Sequence, residues 1–415
     1  MSLPSPRICL VTPGHLASTP RLVKNADALC AAGYRVHVVA NRYFGPAEPL
    51  DARITENARW TFERIDTRPG PQGLARSIQR EIARRFLRLA GGATAVAARA
   101  QHAAYVPLVA AASRTRADFF FGHGGVAGLA VAAAAARRCG VSFGFDAEDW
   151  HEEETLNNPA APAVRALLRS LLPKALLVTC AAPLIGAAFT RVYGVSPICL
   201  LNVFPLSHAP ASPARLPAPS GDTPAVFYWF SQTIGPGRGL EDFIQVLARL
   251  RTPAELHLRG FPQSGYLDAL QAAARTAGFR GRILFLPPAA ADEMVRLSAS
   301  AHVGLSLEQS VPKNRDLCLT NKLFTYLLAG VPVMLTPTTA QSQFAPVLDN
   351  AARILAPCPV AAAKDLDAWL ASSVYPAARQ TAWDVARETF NWEREQSKLI
   401  AAFATLPLRP RSGSR

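Results

Sequence analysis

Paired cysteines are missing from this chain. The seven present (Cys9, Cys30, Cys139, Cys180, Cys199, Cys318 and Cys358) are odd in number, scattered, and form no CxxC pair. That distribution argues against a disulfide framework or a zinc site, and a reducing cytosol is the expected compartment. Long hydrophobic runs are missing too. The longest uncharged apolar stretch, GGVAGLAVAAAAA at 124–136, falls short of the ~20 residues that span a bilayer. It reads as a buried helix. The opening MSLPSPRICLVTP lacks a charged start followed by a long apolar core, so no signal peptide is expected. Negative charge is scarce: 30 Asp and Glu against 44 Lys and Arg leave a formal charge of +14. Such a balance implies an anionic partner (nucleic acid, lipid headgroups or nucleotide phosphates), and charge alone does not choose among them.

What is present describes two globular domains. The chain has 415 residues, 50% of them hydrophobic and 18% charged, enough for two cores of ordinary size. RICLVTP at 7–13 is a compact apolar strand. Thr19 and Pro20 suit the start of a helix whose apolar face carries Leu22, Val23, Ala26, Leu29 and Cys30, and YRVHVVA at 34–40 is the next strand. Strand, helix, strand over so short a span predicts a βαβ unit and a parallel sheet. FFFGH at 119–123, VSFGFDA at 141–147 and ALLVTCA at 175–181 continue the series. A stretch dense in Pro, Ala and Ser then reads as a linker at 206–223. Beyond it AVFYWF, AELHLRG, RILFLPP, HVGLSL and VPVML alternate with helical segments. The expected fold class is therefore α/β, two doubly wound Rossmann-like domains facing a cleft, with ligands at the carboxyl ends of the strands. Boundaries are expected at 1–205 for the first domain and 224–385 for the second, with an amphipathic helix at 386–405.

Two stretches of the second half suit phosphate. SQTIGPGRGLE at 231–241 lies between a strand and a helix, so Gly235, Gly237 and Gly239 allow close backbone approach, and Arg238 adds a positive charge. Its glycines run GxGxG, which is neither the dinucleotide fingerprint nor a Walker A loop. TNKLFTYLLAGVPVMLTP at 320–337 is a short helix opening on Thr320, with Lys322 in its first turn, where acidic residues are usual. A bound phosphate would resolve that conflict; an exposed surface lysine is the plain alternative.

Taken in order along nearly the whole chain, several segments resemble the GT-B glycosyltransferases, in particular the large retaining, family 4-like group of bacterial envelope and polysaccharide synthesis. They are STPRLVKNADALCAAGYRVHVV, FGHGG with FDAEDWHE, GPGRGLEDFIQVL, NKLFTYLLAGVPVML and FNWEREQSKLI. The resemblance implies sugar transfer from a nucleotide-sugar donor to an envelope glycolipid or polysaccharide precursor, with retention of configuration. It also implies a final helix that returns to the first domain, no permanently bound cofactor and no metal.

Position by position, the resemblance implies that His123, Arg238 and Lys322 act in catalysis. Donor contacts fall on Gln232, Gly235, Gly237, Arg238, Asn321, Lys322 and Thr325, and acceptor contacts on His15, Arg21, Asp146 and Asp149. Asp146 and Asp149 belong to an acidic cluster with Glu148, His151 and Glu152, Glu153 and Glu154. Two positions depart from the pattern. Thr325 stands where a glutamate usually binds the donor ribose, and Leu317 replaces that glutamate's partner. Donor binding is then either rebuilt with other groups or weakened. The alternatives are a noncatalytic sugar-nucleotide or glycan-binding protein and a GT-B sugar-nucleotide epimerase.

One helix stands apart from this scheme. LARSIQREIARRFLRLA at 74–90 sets Leu74, Ile78, Ile82, Phe86 and Leu89 beside Arg76, Arg80, Arg84, Arg85 and Arg88. A basic amphipathic helix suits an anionic membrane surface, which predicts a cytoplasmic protein held peripherally on the inner membrane face. No aromatic residues interleave the arginines to stack on bases, so nucleic acid is not expected as a partner.

Overall fold

The computed structural model describes residues 5–68, 70–87, 94–217, 219–220 and 222–408. The chain divides into two units, Met1–Leu200 with Gln396–Arg415, and Leu201–Glu395. Each is built on one parallel sheet.

Unit 1 carries β1 (Arg7–Val11), β2 (Arg35–Arg42), β3 (Thr61–Asp66), β4 (Phe119–Gly122), β5 (Ser142–Ala147), β6 (Leu177–Cys180) and β7 (Ile198–Cys199). Their spatial order is 3-2-1-4-5-6-7, every pair parallel. The central strands are short and almost wholly apolar because helices cover both faces. Ile8, Leu10, Phe119, Phe120 and Phe121 have no exposed surface, and each such side chain contributes roughly 1.5–3 kcal/mol by leaving water. The Ala-rich run predicted as a buried helix is the helix Val126–Cys139, whose small side chains let it lie close against the sheet. The final helix, Trp392–Ala404, ends in unit 1, where Phe403 packs edge-on against Tyr34, Phe119 and Phe121 at 5.6–5.9 Å.

Unit 2 carries β8 (Ala225–Ile234), β9 (Ala254–Pro262), β10 (Arg282–Leu286), β11 (Val303–Ser306), β12 (Val333–Leu335) and β13 (Ala352–Ile354), in the order 10-9-8-11-12-13. Both sheets reverse direction of growth once, between β1 and β4 in unit 1 and between β8 and β11 in unit 2. Loops leaving the strand ends on either side of such a reversal splay apart, which makes the crevice there a binding position in open α/β sheets.

Three details differ from the sequence expectation. The residues SQTI belong to β8, so the glycine loop starts at Gly235. The helical segment expected between RILFLPP and HVGLSL is a 3-10 turn, Ala291–Glu293, followed by the short helix Met294–Ser298. The Pro-rich stretch is laid along unit 2: Trp383 donates its indole N–H to the Pro210 carbonyl at 3.1 Å, and Arg379 donates to the Ala214 carbonyl at 3.0 Å. Extended backbone without internal hydrogen bonds leaves its carbonyls open to such donors. Arg88, Leu89 and Ala90 of the predicted basic helix lie outside the described residues; the rest forms the helix Pro71–Leu87.

Candidate functional site

The glycine loop leaves β8 at the reversal point of unit 2. Gly237 and Gly239 have φ of +68° and +74°, the left-handed region open to glycine, and Gly239 starts the helix Leu240–Leu247. At Gly239 space is also decisive: a Cβ there would lie 3.0 Å from the Leu307 carbonyl oxygen and 2.6 Å from Gln309 Nε2. The loop is thus pressed onto the segment that follows β11. Arg315, on the short helix Lys313–Leu317, fixes it further by donating to the Gly237 carbonyl at 2.5 Å. Half-buried Arg238 has its pKa lowered by burial and by the nearby Arg315, with Glu308 opposing both. Two like charges held together in this way favour an anion between them.

Lys322 answers the question posed by its place in a helix start. In the helix Asn321–Leu328 it is only 8% exposed, its Nζ lies 2.9 Å from Glu308 Oε1, and it sits 5.8 Å over the Trp229 ring. Glu308 itself is 6% exposed. Burial by itself would raise its pKa, but Lys322, then Arg315 and Arg238, hold it below the usual carboxylate range. Lys322 thus pairs with a carboxylate that Arg238 and Arg315 also influence from nearby, beside two sources of free backbone N–H groups. Two hydroxyls nearby in sequence, Ser306 Oγ and Thr320 Oγ1, are buried without a partner among the described residues.

The remaining donor candidates occupy this region unequally. Gly235 is buried, with the Gln263 side chain 2.7 Å from where a Cβ would stand, and Gln232 is exposed in the irregular end of β8. Asn321 is half-buried and opens its helix. Thr325 is fully buried, with its hydroxyl donating to the Asn321 carbonyl at 2.8 Å. Leu317 is 7% exposed. Sequence reasoning missed Glu308 and Arg315. Glu308 left a signal, a charged residue two places beyond a short apolar strand, whereas Arg315, nine residues beyond it, left none.

Unit 1 gathers a second group at its own reversal point. His123 follows β4, is 1% exposed, and stands edge-on to Phe121 with ring centroids 4.6 Å apart. Its turn is glycine-bound: a Cβ on Gly128 would meet the His123 carbonyl oxygen at 1.9 Å, and one on Gly122 would meet Gly128 O at 2.5 Å. His123 Nδ1 lies 3.2 Å from Asp146 Oδ2 without the directionality of a hydrogen bond, and Nε2 has no partner among the described residues. Asp146, near the end of β5, is held by Arg21 through Nε at 2.6 Å and Nη2 at 3.0 Å, and by the Thr179 hydroxyl at 2.5 Å. Arg21 also donates to the carbonyls of Leu200 and Cys180 at 2.6 and 3.3 Å. Burial would raise the Asp146 pKa; Arg21 and His123 reverse this and hold it far below normal.

His15 and Asp149 belong to the same end of the sheet. The His15 Nδ1 faces Asp51 at 2.9 Å and Nε2 accepts from the Tyr43 and Phe44 N–H groups at 3.0 and 2.9 Å, an arrangement satisfied by the neutral ring protonated at Nδ1. Asp149 is half-buried beside Glu148, whose pKa is pushed up to about 7 by burial and then by Asp149. His151, 3% exposed, pairs with Glu154, and this outweighs the effect of burial, so its pKa is raised. Among the described residues no group of three or more His, Cys, Asp or Glu is arranged to hold a metal ion.

Comparison with solved structures now has a geometry to meet. The chain is similar to the Anabaena protein HepE, solved with UDP and glucose, with TM-score 0.71, 17% identity, and coverage of 97% of this chain and 100% of that one. The fold is GT-B. Other GT-B structures agree: a glycosyltransferase of Rickettsia africae (TM-score 0.65, 9% identity, 96% of this chain and 98% of that one) and the lipopolysaccharide outer core galactosyltransferase WaaB (0.51, 13%, 96% and 100%). Protein-family models and curated protein sequences gave no match. In GT-B terms, unit 1 is the N-terminal Rossmann-like domain and unit 2 the C-terminal one, with the last helix returning from the second to the first.

Proposed function

We propose that this protein is a glycosyltransferase that takes its sugar from a nucleotide-sugar donor. The observation that carries the reading is the group of three cations, Arg238, Arg315 and Lys322, at the reversal point of the unit 2 sheet. Two negative charges of a donor diphosphate match it, and the same cations would stabilise the diphosphate as it leaves, without need of a metal. Arg238 and Lys322 act on the leaving group; Gln232, Gly235, Gly237 and Asn321 line the donor. HepE, solved with UDP-glucose, supports a uridine nucleotide as the first donor to try. In unit 1, His123 acts in transfer, its Nε2, buried without a partner among the described residues, being the group free to meet a substrate hydroxyl. Asp149 with Glu148 faces the acceptor, while Arg21, Asp146 and His15, whose polar atoms already have protein partners, hold that surface in shape.

The finer reading is transfer with retention of configuration to an envelope glycolipid or polysaccharide precursor, by a cytoplasmic protein bound peripherally to the inner membrane face. Support comes from the helix Pro71–Leu87, where Leu74, Ile78, Ile82 and Phe86 are 65, 52, 49 and 57% exposed. Among the described residues no helix is long and apolar enough to cross a membrane. The domain scheme proposed for these roles is an acceptor domain at 1–205, a connection at 206–223, a donor domain at 224–385 and the returning helix at 386–405.

Calorimetric titration with UDP tests the central claim. Lys322→Ala or Arg238→Ala should each weaken UDP binding about tenfold or more, and unchanged affinity in both would remove the assignment. A second reading is favoured by Thr325, whose hydroxyl is spent inside its own helix, and by Leu317. Under it the protein binds a sugar nucleotide without transferring the sugar. Tight UDP-glucose binding with no loss of the donor in the presence of membrane extract would decide for that alternative.

A further inference from the structure

Glu308 needs an explanation that a plain anion site does not give. A negative charge in the middle of three cations works against any phosphate that approaches them. Pairing with buried Lys322 accounts for a carboxylate at this place, but the same carboxylate also opposes any anion that the cations attract. The carboxylate is nevertheless fixed firmly: it is 6% exposed, receives Lys322 at 2.9 Å, and its backbone carbonyl accepts from the Thr336 hydroxyl at 2.5 Å. Gly239 is pressed onto the residues either side of it, and Arg315 ties down Gly237 of the same loop. The cations therefore have little freedom to move away from it.

Charge counting shows what the carboxylate changes. Arg238, Arg315 and Lys322 less Glu308 leave a net charge of +2, because Lys313 and Asp316, paired at 2.6 Å, cancel. The diphosphate of an intact sugar nucleotide is esterified at both ends and carries two negative charges. The nucleoside diphosphate left after transfer has a terminal phosphate whose last proton leaves at a pKa of about 6. At pH 7.5 it therefore carries nearly three. A site of +2 matches the first, whereas a site of +3 would match the second.

We propose that Glu308 sets this site to prefer the sugar nucleotide over the nucleoside diphosphate product, making it a specificity-determining residue that eases product release. The inference rests on the donor-site reading above and adds a role for a residue that reading leaves idle. Contacts shared by the two ligands cancel in the ratio of their dissociation constants, so the ratio isolates the extra charge.

The experiment measures Kd for UDP and for UDP-glucose by calorimetry at pH 7.5 and fixed ionic strength, in the full-length parent, Glu308→Gln and Arg315→Gln. With Glu308→Gln, UDP should tighten more than UDP-glucose, moving the ratio in favour of UDP by roughly five- to tenfold. Arg315→Gln changes the charge in the opposite sense from a half-exposed position, and the ratio should move the other way. An unchanged ratio in both variants, whatever happens to the separate affinities, would overturn the proposal and leave Glu308 as the partner of Lys322. Binding of neither ligand by the parent would overturn the donor-site reading, and this inference with it.

Discussion

Asp146 and Glu148 stand two residues apart at one strand end, and their environments push them in opposite directions. Asp146 is fully paired with Arg21; Glu148 is half-buried beside another carboxylate. Asp146→Asn would leave the Arg21 guanidinium buried without its counter-charge, and urea unfolding should show a loss of about 3 kcal/mol or more. The stability that Asp146 contributes is present above its unfolded value of 3.8 and is lost only in strong acid, because its folded pKa is depressed. Glu148 works the other way. Between 4.5 and about 7 the folded chain keeps a proton on Glu148 that the unfolded chain has released, so rising pH across that window costs stability. Glu148→Gln should therefore stabilise the protein at pH 8 relative to the parent, by about 1 kcal/mol, and do little at pH 4.5. Thermal melts at the two values would check it; an equal shift at both would show that the carboxyl is solvated. The Arg21–Asp146 pairing could not be seen in the sequence, since the two are 125 residues apart and meet through the order of the strands, whereas Glu148 and Asp149 are neighbours in the chain and stood out as an acidic cluster. What the sequence did display was the residue types themselves: Arg238 and Lys322 from a glycine loop and a helix start, and His123 from the FGHGG segment that carries the resemblance.

Elements were legible in proportion to their burial. The central strands β1, β4, β5, β8 and β11 stand out as short apolar runs. Of the edge strands, β10 was read from its apolar run RILFL, whereas β3, β7 and β13, which carry no continuous apolar run or are very short, were missed. TFERID of β3 is half-exposed along most of its length, β7 has two residues and β13 three. The helix Pro71–Leu87 is the opposite case, an element whose pattern was plain and whose apolar face the fold leaves uncovered. Its arginines do not all point outward: Arg76 donates to the Asp66 carbonyl at 3.1 Å and Arg84 to the Ala100 carbonyl at 3.2 Å, while Arg84 and Arg85 approach Glu81 at 3.8 Å. The apolar stripe should then matter more to membrane attachment than any one arginine. Replacing Leu74, Ile78, Ile82 and Phe86 together by serine should abolish sedimentation with vesicles containing acidic lipid, and parent binding should weaken as salt rises. Equal sedimentation of variant and parent would return the helix to an ordinary surface element.

At the scale of the molecule, the two doubly wound units followed from counting strand and helix alternations, whereas the return of the last helix to the first unit was expected from the family resemblance alone. The last helix starts among residues that fasten unit 2. Asn391 caps it by accepting from the Arg394 N–H at 3.1 Å, Trp392 donates its backbone N–H to the Phe204 carbonyl at 3.0 Å, and Glu395 accepts from the Leu201 N–H at 3.0 Å. It ends with Phe403 in the aromatic cluster of unit 1. Phe403→Ala should cost about 3–5 kcal/mol, read as a lower unfolding midpoint, and UDP binding in unit 2 should survive below that midpoint.

Because Gln396–Arg415 completes unit 1, the whole of Leu201–Glu395 is interposed between two parts of one folding unit. During synthesis, the last residue of unit 2 is added before unit 1 has all of its sequence, although unit 1 starts first. Domains generally fold as they emerge, N-terminal first. Here the order is inverted: the first unit waits with Phe119 and Phe121 lacking Phe403, so a chain ended by a stop codon just after Glu395 and released should have a protease-resistant unit 2 joined to a protease-sensitive unit 1.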